Sequence, residues 1–62
     1  MNKEQFKAKR IIALNLTQRE LAEELGITQA SVSRIETGAR KASKRLIKAF
    51  SLLIESKRGN II

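Results

Sequence analysis

Four side chains on the outer face of one predicted helix are the residues best able to contact a partner. They are Gln29, Ala30, Ser33 and Arg34. Val32 and Ile35 lie three positions apart and predict the buried face of this helix, which turns the other four toward solvent. The side chains of Gln29, Ser33 and Arg34 can form hydrogen bonds, and Arg34 is positively charged. These side chains are therefore suited to contact a polar partner.

Two short helical patterns predict how these side chains are presented. The first pattern covers about 18–25 and begins at the N-cap Thr17. Gly26 then allows a left-handed turn, and a second N-cap, Thr28, begins a helix over about 29–36. This order is typical of a helix-turn-helix, whose second helix enters the major groove of DNA.

An earlier helix over about 3–14 is predicted from positions that share one face. These are Phe6, Ala13 and Leu14, with the aliphatic stem of Arg10. Ile11 and Ile12 fit this face poorly, so either one of them packs against the last helix or the helix is overwound locally. Asn15 tolerates left-handed geometry and ends the helix, and Leu16 packs beneath the next N-cap as a hydrophobic staple.

A last helix over about 44–56 is predicted after the N-cap Ser43. Its inward stripe consists of Leu46, Ala49, Phe50, Leu53 and Ile54. Further apolar residues on its flanks and in the tail are candidates for a dimer or partner surface. These are Ile47, Leu52, Ile61 and Ile62. The alternative is that isolated surface apolar residues have no role, and the tail KRGNII could pair as a short strand, cover an exposed patch or fray.

Length and composition limit the possible classes of protein. The 62 residues are expected to form one domain over 1–62, and the Leu, Ile and Ala content without proline favours an all-α fold. The absence of cysteine and histidine excludes disulfides, thiolate metal sites and histidine-based acid–base catalysis. No apolar run approaches the roughly 20 residues of a membrane span, and no signal-peptide core follows the start, so we expect a cytoplasmic protein.

The carboxylates have structural explanations, so we predict a protein that is not an enzyme and needs no metal or cofactor. Helix capping, solvent-facing helical positions and one ion pair account for Glu20, Glu23, Glu24, Glu36 and Glu55. Glu20 in particular lies three residues after Thr17, which is the spacing of a capping box.

The net charge of +7 is distributed unevenly along the chain. Residues 1–10 carry four basic side chains and one acidic side chain. Residues 17–36 carry two basic and four acidic side chains, and residues 37–62 carry seven basic side chains and one acidic side chain. Positive charge therefore flanks the helix over 29–36, where a phosphate backbone would pass on either side of a groove. The alternative is a basic surface that only maintains solubility.

The run LTQRELAEELGITQASVSRIETGAR resembles the helix-turn-helix of the phage repressor and Cro family, also called the XRE family. The resemblance covers Lys3 to about Glu55. Its most specific parts are Leu16-Thr17-Gln18 leading into Glu20-Leu21-Ala22, the corner Leu25-Gly26-Ile27-Thr28, and Val32-Ser33-Arg34-Ile35-Glu36 followed by Gly38. It implies a compact four-helix domain of the lambda-repressor-like type, with the helix-turn-helix formed by helices 2 and 3 and double-stranded DNA as partner.

The resemblance also implies which residues contact DNA. Bases would be read by Gln29, Ala30, Ser33 and Arg34. Phosphates would be contacted by Gln18, at the start of the second helix, and by Thr28, Ser31, Thr37, Arg40, Lys41 and Lys44. Glutamine can bond adenine, arginine can bond guanine, and an alanine methyl can pack on the thymine methyl. For Arg34 the alternative is a surface ion pair with Glu36 or Glu23.

Two departures from the family pattern concern the first helix and the end of the fold. In relatives the acidic residue that ends the third helix commonly pairs with a basic residue of the first helix, here Glu36 with Arg10. One extra residue lies between Arg10 and the Leu16-Thr17-Gln18 run, so a bulge or a shifted register in the first helix is an alternative to that pair. The fifth helix that many relatives use for dimerisation is not predicted within 1–62.

These observations lead to three related hypotheses for function. The first is a sequence-specific transcriptional regulator, a small Cro-like repressor that binds a palindromic operator as a homodimer. The second is the antitoxin of a toxin–antitoxin pair, in which the same fold binds DNA and a second surface holds a toxin. The third is a controller protein of a restriction–modification system, which neighbouring genes would distinguish from the first.

Overall fold

Four helices make up the part of the chain that the structure describes. The computed structural model describes residues 1–59, with side chains described as far as Lys57. The helices are α1 (Lys3–Ala8), which continues as a π-helical turn (Lys9–Ala13), then α2 (Gln18–Leu25), α3 (Gln29–Thr37) and α4 (Lys44–Gly59). Residues 1–59 contain no strand, which confirms the all-α prediction. No helix within this range is long and apolar enough to cross a bilayer.

Side-chain caps begin the helices at the predicted positions. The Thr17 hydroxyl accepts from the Glu20 backbone N–H at 3.1 Å, and the Glu20 carboxylate accepts from the Thr17 N–H at 2.9 Å. Ser43 likewise accepts from the N–H of Leu46 at 3.1 Å. Because each cap satisfies an amide that has no partner within its helix, the sequence fixes where these helices start.

Left-handed residues end the helices where the sequence predicts. Asn15 has φ 53° after the first helix and Gly26 has φ 71° after α2. Gly26 provides the tight corner between α2 and α3, because a residue with a Cβ is strained at this φ. Leu16 and Ile27 pack against the core on either side of α2, which fixes how α2 enters and leaves the domain.

The extra residue of the first helix is absorbed by the π-helical turn. The N–H of Leu14 donates to the carbonyl of Lys9, five residues back, at 3.1 Å. The turn is therefore wider than an α-helical turn, and the prediction of local overwinding was wrong. Ile12 is 81% exposed and Ile11 46%, and neither is among the residues that pack against the core around Phe50 of the last helix. Ala13 is exposed too, because the wider turn rotates it off the face that Phe6 and Leu14 share.

The hydrophobic core joins all four helices. It consists of Phe6, Leu14, Leu21, Ala22, Val32, Ile35 and Phe50. The rings of Phe6 and Phe50 lie 4.5 Å apart between centroids, at a tilt of 41°. This aromatic pair packs α4 against α1, since ring pairs at such distances are attractive beyond the area they bury.

The inward stripe of α4 is confirmed except at one position. Leu46, Leu53 and Ile54 are half-buried against the core around Phe50. Ala49 is exposed, so its placement in the stripe was wrong. It lines an open groove beside Leu25 and Ile27, which its single methyl group is too short to close.

The candidate partner surface on α4 is confirmed as exposed at one position only. Leu52 is 55% exposed, whereas Ile47 is half-buried. Ile61 and Ile62 lie outside the described residues.

The capping box of α2 predicts a small pH dependence of stability. The hydrogen bond from the Thr17 backbone N–H, followed by that from its hydroxyl, lowers the pKa of Glu20 below its usual 4.5. The stabilisation is fully present above pH 4.5 and is lost as the pH falls through the lowered pKa. Glu20→Gln keeps a capping side chain but removes this titration. The difference in the free energy of unfolding between the parent and Glu20→Gln, measured with urea, should therefore shrink from pH 7 toward pH 3. A difference that stays constant over this range would contradict the prediction.

Candidate nucleic-acid interface

The outer face of α3 presents the side chains that the sequence singled out. Gln29, Ala30 and Arg34 are exposed, and Ser33 is half-buried. The opposite face is closed, since Val32 is fully buried and Ile35 nearly so. Because the face with Val32 and Ile35 is buried, the rotation of α3 about its axis is fixed. The face that carries Gln29, Ala30, Ser33 and Arg34 therefore points away from the domain.

A cluster of hydroxyl groups and one guanidinium lies at the N-terminus of α3. The Thr28 and Ser31 hydroxyls are 2.9 Å apart, and Thr28 caps the helix by accepting from the N–H of Ser31. Arg40 donates from Nη1 to the Ser31 hydroxyl at 3.3 Å, although it follows α3 in the chain. Its backbone N–H donates to the carbonyl of Arg34 at 3.2 Å, which holds the loop against α3. Donors and a positive charge at a helix N-terminus favour an anion.

A buried ion pair joins the first helix to α3. Arg10 forms two hydrogen bonds with Glu36, from Nε to Oε2 at 2.6 Å and from Nη2 to Oε1 at 3.0 Å. Only 10% of the Arg10 side chain and 4% of the Glu36 side chain are exposed. The remaining guanidinium nitrogen, Nη1, donates to the carbonyl of Leu16 at 2.8 Å. The pair that the resemblance implied is therefore present, and the π-helical turn accommodates the extra residue without breaking it.

Gln18 completes this network from the start of α2. Its Nε2 donates to Glu36 Oε1 at 3.1 Å, and its side chain is half-buried. Three helices therefore converge on the Glu36 carboxylate, which orients α3 relative to the N-terminus of α2. The implied phosphate contact of Gln18 remains a prediction, for which the second N–H of the side-chain amide stays available as a donor.

The two carboxylates that were alternative partners for Arg34 pair elsewhere. Glu36 is bonded to Arg10, and Glu23 lies 3.5 Å from Arg19 on the same helix. The ion-pair alternative for Arg34 is therefore wrong, and its guanidinium is exposed for another contact.

The remaining basic and hydroxyl candidates surround α3. Lys41 and Lys44 are exposed in the loop and at the start of α4. Thr37 is exposed as well, but its hydroxyl donates to the carbonyl of Arg34 at 3.1 Å. Sequence reasoning missed Lys3, whose side chain lies against Gly38 at the end of α3. No signal in the sequence links these positions, which are 35 residues apart.

Comparison with known proteins gives a single result. A helix-turn-helix family model matches residues 6–56, which includes all of α2 and α3. Searches of curated proteins and of solved structures returned no match. The family match covers most of the chain and agrees with the capped helices, the glycine corner and the exposed face of α3. The chain belongs to the helix-turn-helix family of the Cro and XRE type and is a DNA-binding regulator.

Proposed function

We propose that this regulator is a small Cro-like repressor that binds a palindromic operator as a homodimer. The observation that carries the proposal is the row of exposed side chains on α3, backed by the buried face of Val32 and Ile35. In a helix-turn-helix the second helix lies in the major groove, where its exposed side chains meet base edges. Occupation of an operator by the dimer would then block transcription.

Each residue of the row fits a particular base contact. Gln29 can bond N6 and N7 of adenine, Arg34 can bond O6 and N7 of guanine, and the Ala30 methyl can pack on the thymine methyl. A good bidentate contact discriminates against the wrong base by about 1–3 kcal/mol. Ser33 is half-buried, so its contact would come from the hydroxyl alone.

Phosphate contacts would hold α3 in the groove from both sides. The Thr28, Ser31 and Arg40 cluster offers hydroxyl groups and a charge at the N-terminus of α3. Gln18, Thr37, Lys41 and Lys44 are the other proposed contacts. Such contacts set affinity and position but carry no sequence information.

Dimerisation follows from the size of the domain. A single module of this kind buries about 600–1,000 Å² on DNA, which is too little for the usual affinity of a specific regulator. Two subunits would place their α3 helices in successive major grooves about 34 Å apart. Leu52, exposed on α4, is the proposed contact between subunits.

Arg34→Ala should remove sequence preference at one base pair while leaving most nonspecific binding intact. The reason is that Arg34 is exposed and has no carboxylate partner within residues 1–59, so a base edge is its only proposed contact. Affinity for the operator should fall by about 1–3 kcal/mol in a competition titration, with little change on random duplex. Equal losses on both duplexes would overturn the base-reading assignment.

Lys44→Ala is the matched control for that experiment. Lys44 is also exposed and basic, but it is proposed to contact phosphate. Its loss should weaken binding to all duplexes alike and reduce the salt dependence by about one unit of slope.

In the antitoxin hypothesis the protein binds DNA through the same face of α3, but the exposed Leu52 contacts a toxin and not a second subunit. A second polypeptide that purifies with the protein in a one-to-one ratio would favour the antitoxin, and a homodimer would favour the repressor.

A further inference from the structure

A groove lies between the N-terminus of α1 and the loop that follows α3. Its volume is about 420 Å³. Lys3 lines it from α1, Arg40 and Lys41 line it from the loop, and Phe6 and Ile35 form its floor. The groove is at the C-terminal end of α3, whereas the Thr28 and Ser31 hydroxyls are at the N-terminal end. Arg40 lines the groove and also donates to the Ser31 hydroxyl.

The charges that line the groove favour an anion. Phe6 is only 1% exposed and Ile35 only 4%, so these two side chains present little apolar surface to it. No carboxylate lines the groove, and its three cationic residues form no ion pair within the described part of the chain. Cations that have no carboxylate partner and share one groove attract negative charge.

The Lys3 side chain lies against Gly38, the residue that ends α3. A Cβ built on Gly38 would lie 3.1 Å from Cδ and 3.3 Å from Nζ of Lys3. The Lys3 stem therefore crosses the C-cap of α3, and its ammonium lies at the same end of α3 as the loop that carries Lys41. The first helix thus contributes a cation to the surface around α3.

We propose that Lys3 and Lys41 bind a backbone phosphate of the DNA duplex whose bases α3 contacts. This inference rests on the proposed function, because the duplex must be seated on α3 for its backbone to reach the groove. The phosphate backbone would then be held at both ends of α3, by the Thr28, Ser31 and Arg40 cluster at one end and by the groove at the other. Lys3 acts as a positioning residue without base contact.

Lys3→Gln tests the proposal, because glutamine keeps much of the aliphatic stem over Gly38 and removes the charge. The slope of log affinity against log salt should fall by about 0.9 in magnitude. The loss of affinity between about 50 and 200 mM salt should therefore become about threefold smaller. The change should be equal on operator and random duplex.

Lys7→Gln is the matched control, since Lys7 is an exposed lysine of the same helix that does not line the groove. It should keep the parent slope, and Lys3→Arg, which keeps the charge, should do so as well. If Lys3→Gln keeps the parent slope and lowers only the melting temperature, Lys3 merely stabilises the end of α3 and the proposal is overturned. If the parent protein enriches no sequence from a random duplex pool, the proposed function is overturned instead. If the parent does enrich a sequence but Lys3→Gln leaves the salt slope unchanged, this inference alone is overturned.

Discussion

Arg10→Met should lower the free energy of unfolding by about 3–5 kcal/mol, because it leaves a buried carboxylate without its cation. Glu36 is 4% exposed in its side chain and would keep only the amide of Gln18 as a donor. The carbonyl of Leu16 would lose its donor from Arg10 as well. Methionine fills much of the space of the arginine stem, so the loss would reflect the unpaired charge more than a cavity. Urea unfolding measured at pH 7 gives the value.

The chain provides a matched control in its second ion pair. Arg19 and Glu23 are 79% and 70% exposed, so Arg19→Met should cost at most about 1 kcal/mol. The double variant Arg10→Met with Glu36→Leu should recover most of the loss, since replacing both members of a buried pair is often neutral. If Arg10→Met costs no more than Arg19→Met, the pair does not hold α3 in place.

Phe50→Ala should lower the free energy of unfolding by about 3–5 kcal/mol and lower the melting temperature with it. Phe50 is fully buried and packs against the ring of Phe6, and removing a buried phenylalanine costs about 3–5 kcal/mol. A domain of 62 residues has a total stability of only about 3–9 kcal/mol at the usual 0.05–0.15 kcal/mol per residue. The loss is therefore at least about a third of the total stability of the fold. Circular dichroism at 222 nm, followed through thermal unfolding, measures it.

Lys48→Ala on the same helix is the control, because it changes an exposed side chain of α4 that has no proposed contact. Lys48 is exposed, and surface substitutions of this kind change the free energy of unfolding by about 0.5 kcal/mol or less. A Phe50→Ala protein as stable as Lys48→Ala would show that the aromatic pair is not the anchor of α4.

Local signals in the sequence predicted most of the fold. Helix starts followed from side chains that bond backbone N–H groups three residues on, as at Thr17 and Ser43. The corner followed from Gly26, whose φ of 71° suits glycine. The outer face of α3 followed from the spacing of Val32 and Ile35. Each of these signals acts over four residues or fewer, which is why sequence alone resolves them.

Features that depend on tertiary contacts could not be read from the sequence. The prediction that Ala13 is buried depended on a regular α-helical turn after Lys9. The chain instead forms a π-helical turn there, which accommodates the extra residue and leaves Ala13 exposed. The turn preserves the long-range pair of Arg10 with Glu36, which no local pattern encodes. The position of Lys3 over Gly38 is likewise set by how α1 packs on α3.

Selection of bound sequences from a random duplex pool tests the central claim most directly. The experiment should be run at about 150 mM salt, where binding through phosphates alone is weakened. The proposed function predicts a two-fold symmetric motif with half-sites about one helical turn apart. Binding without an enriched motif, lost as salt rises, would contradict the proposal that α3 reads sequence.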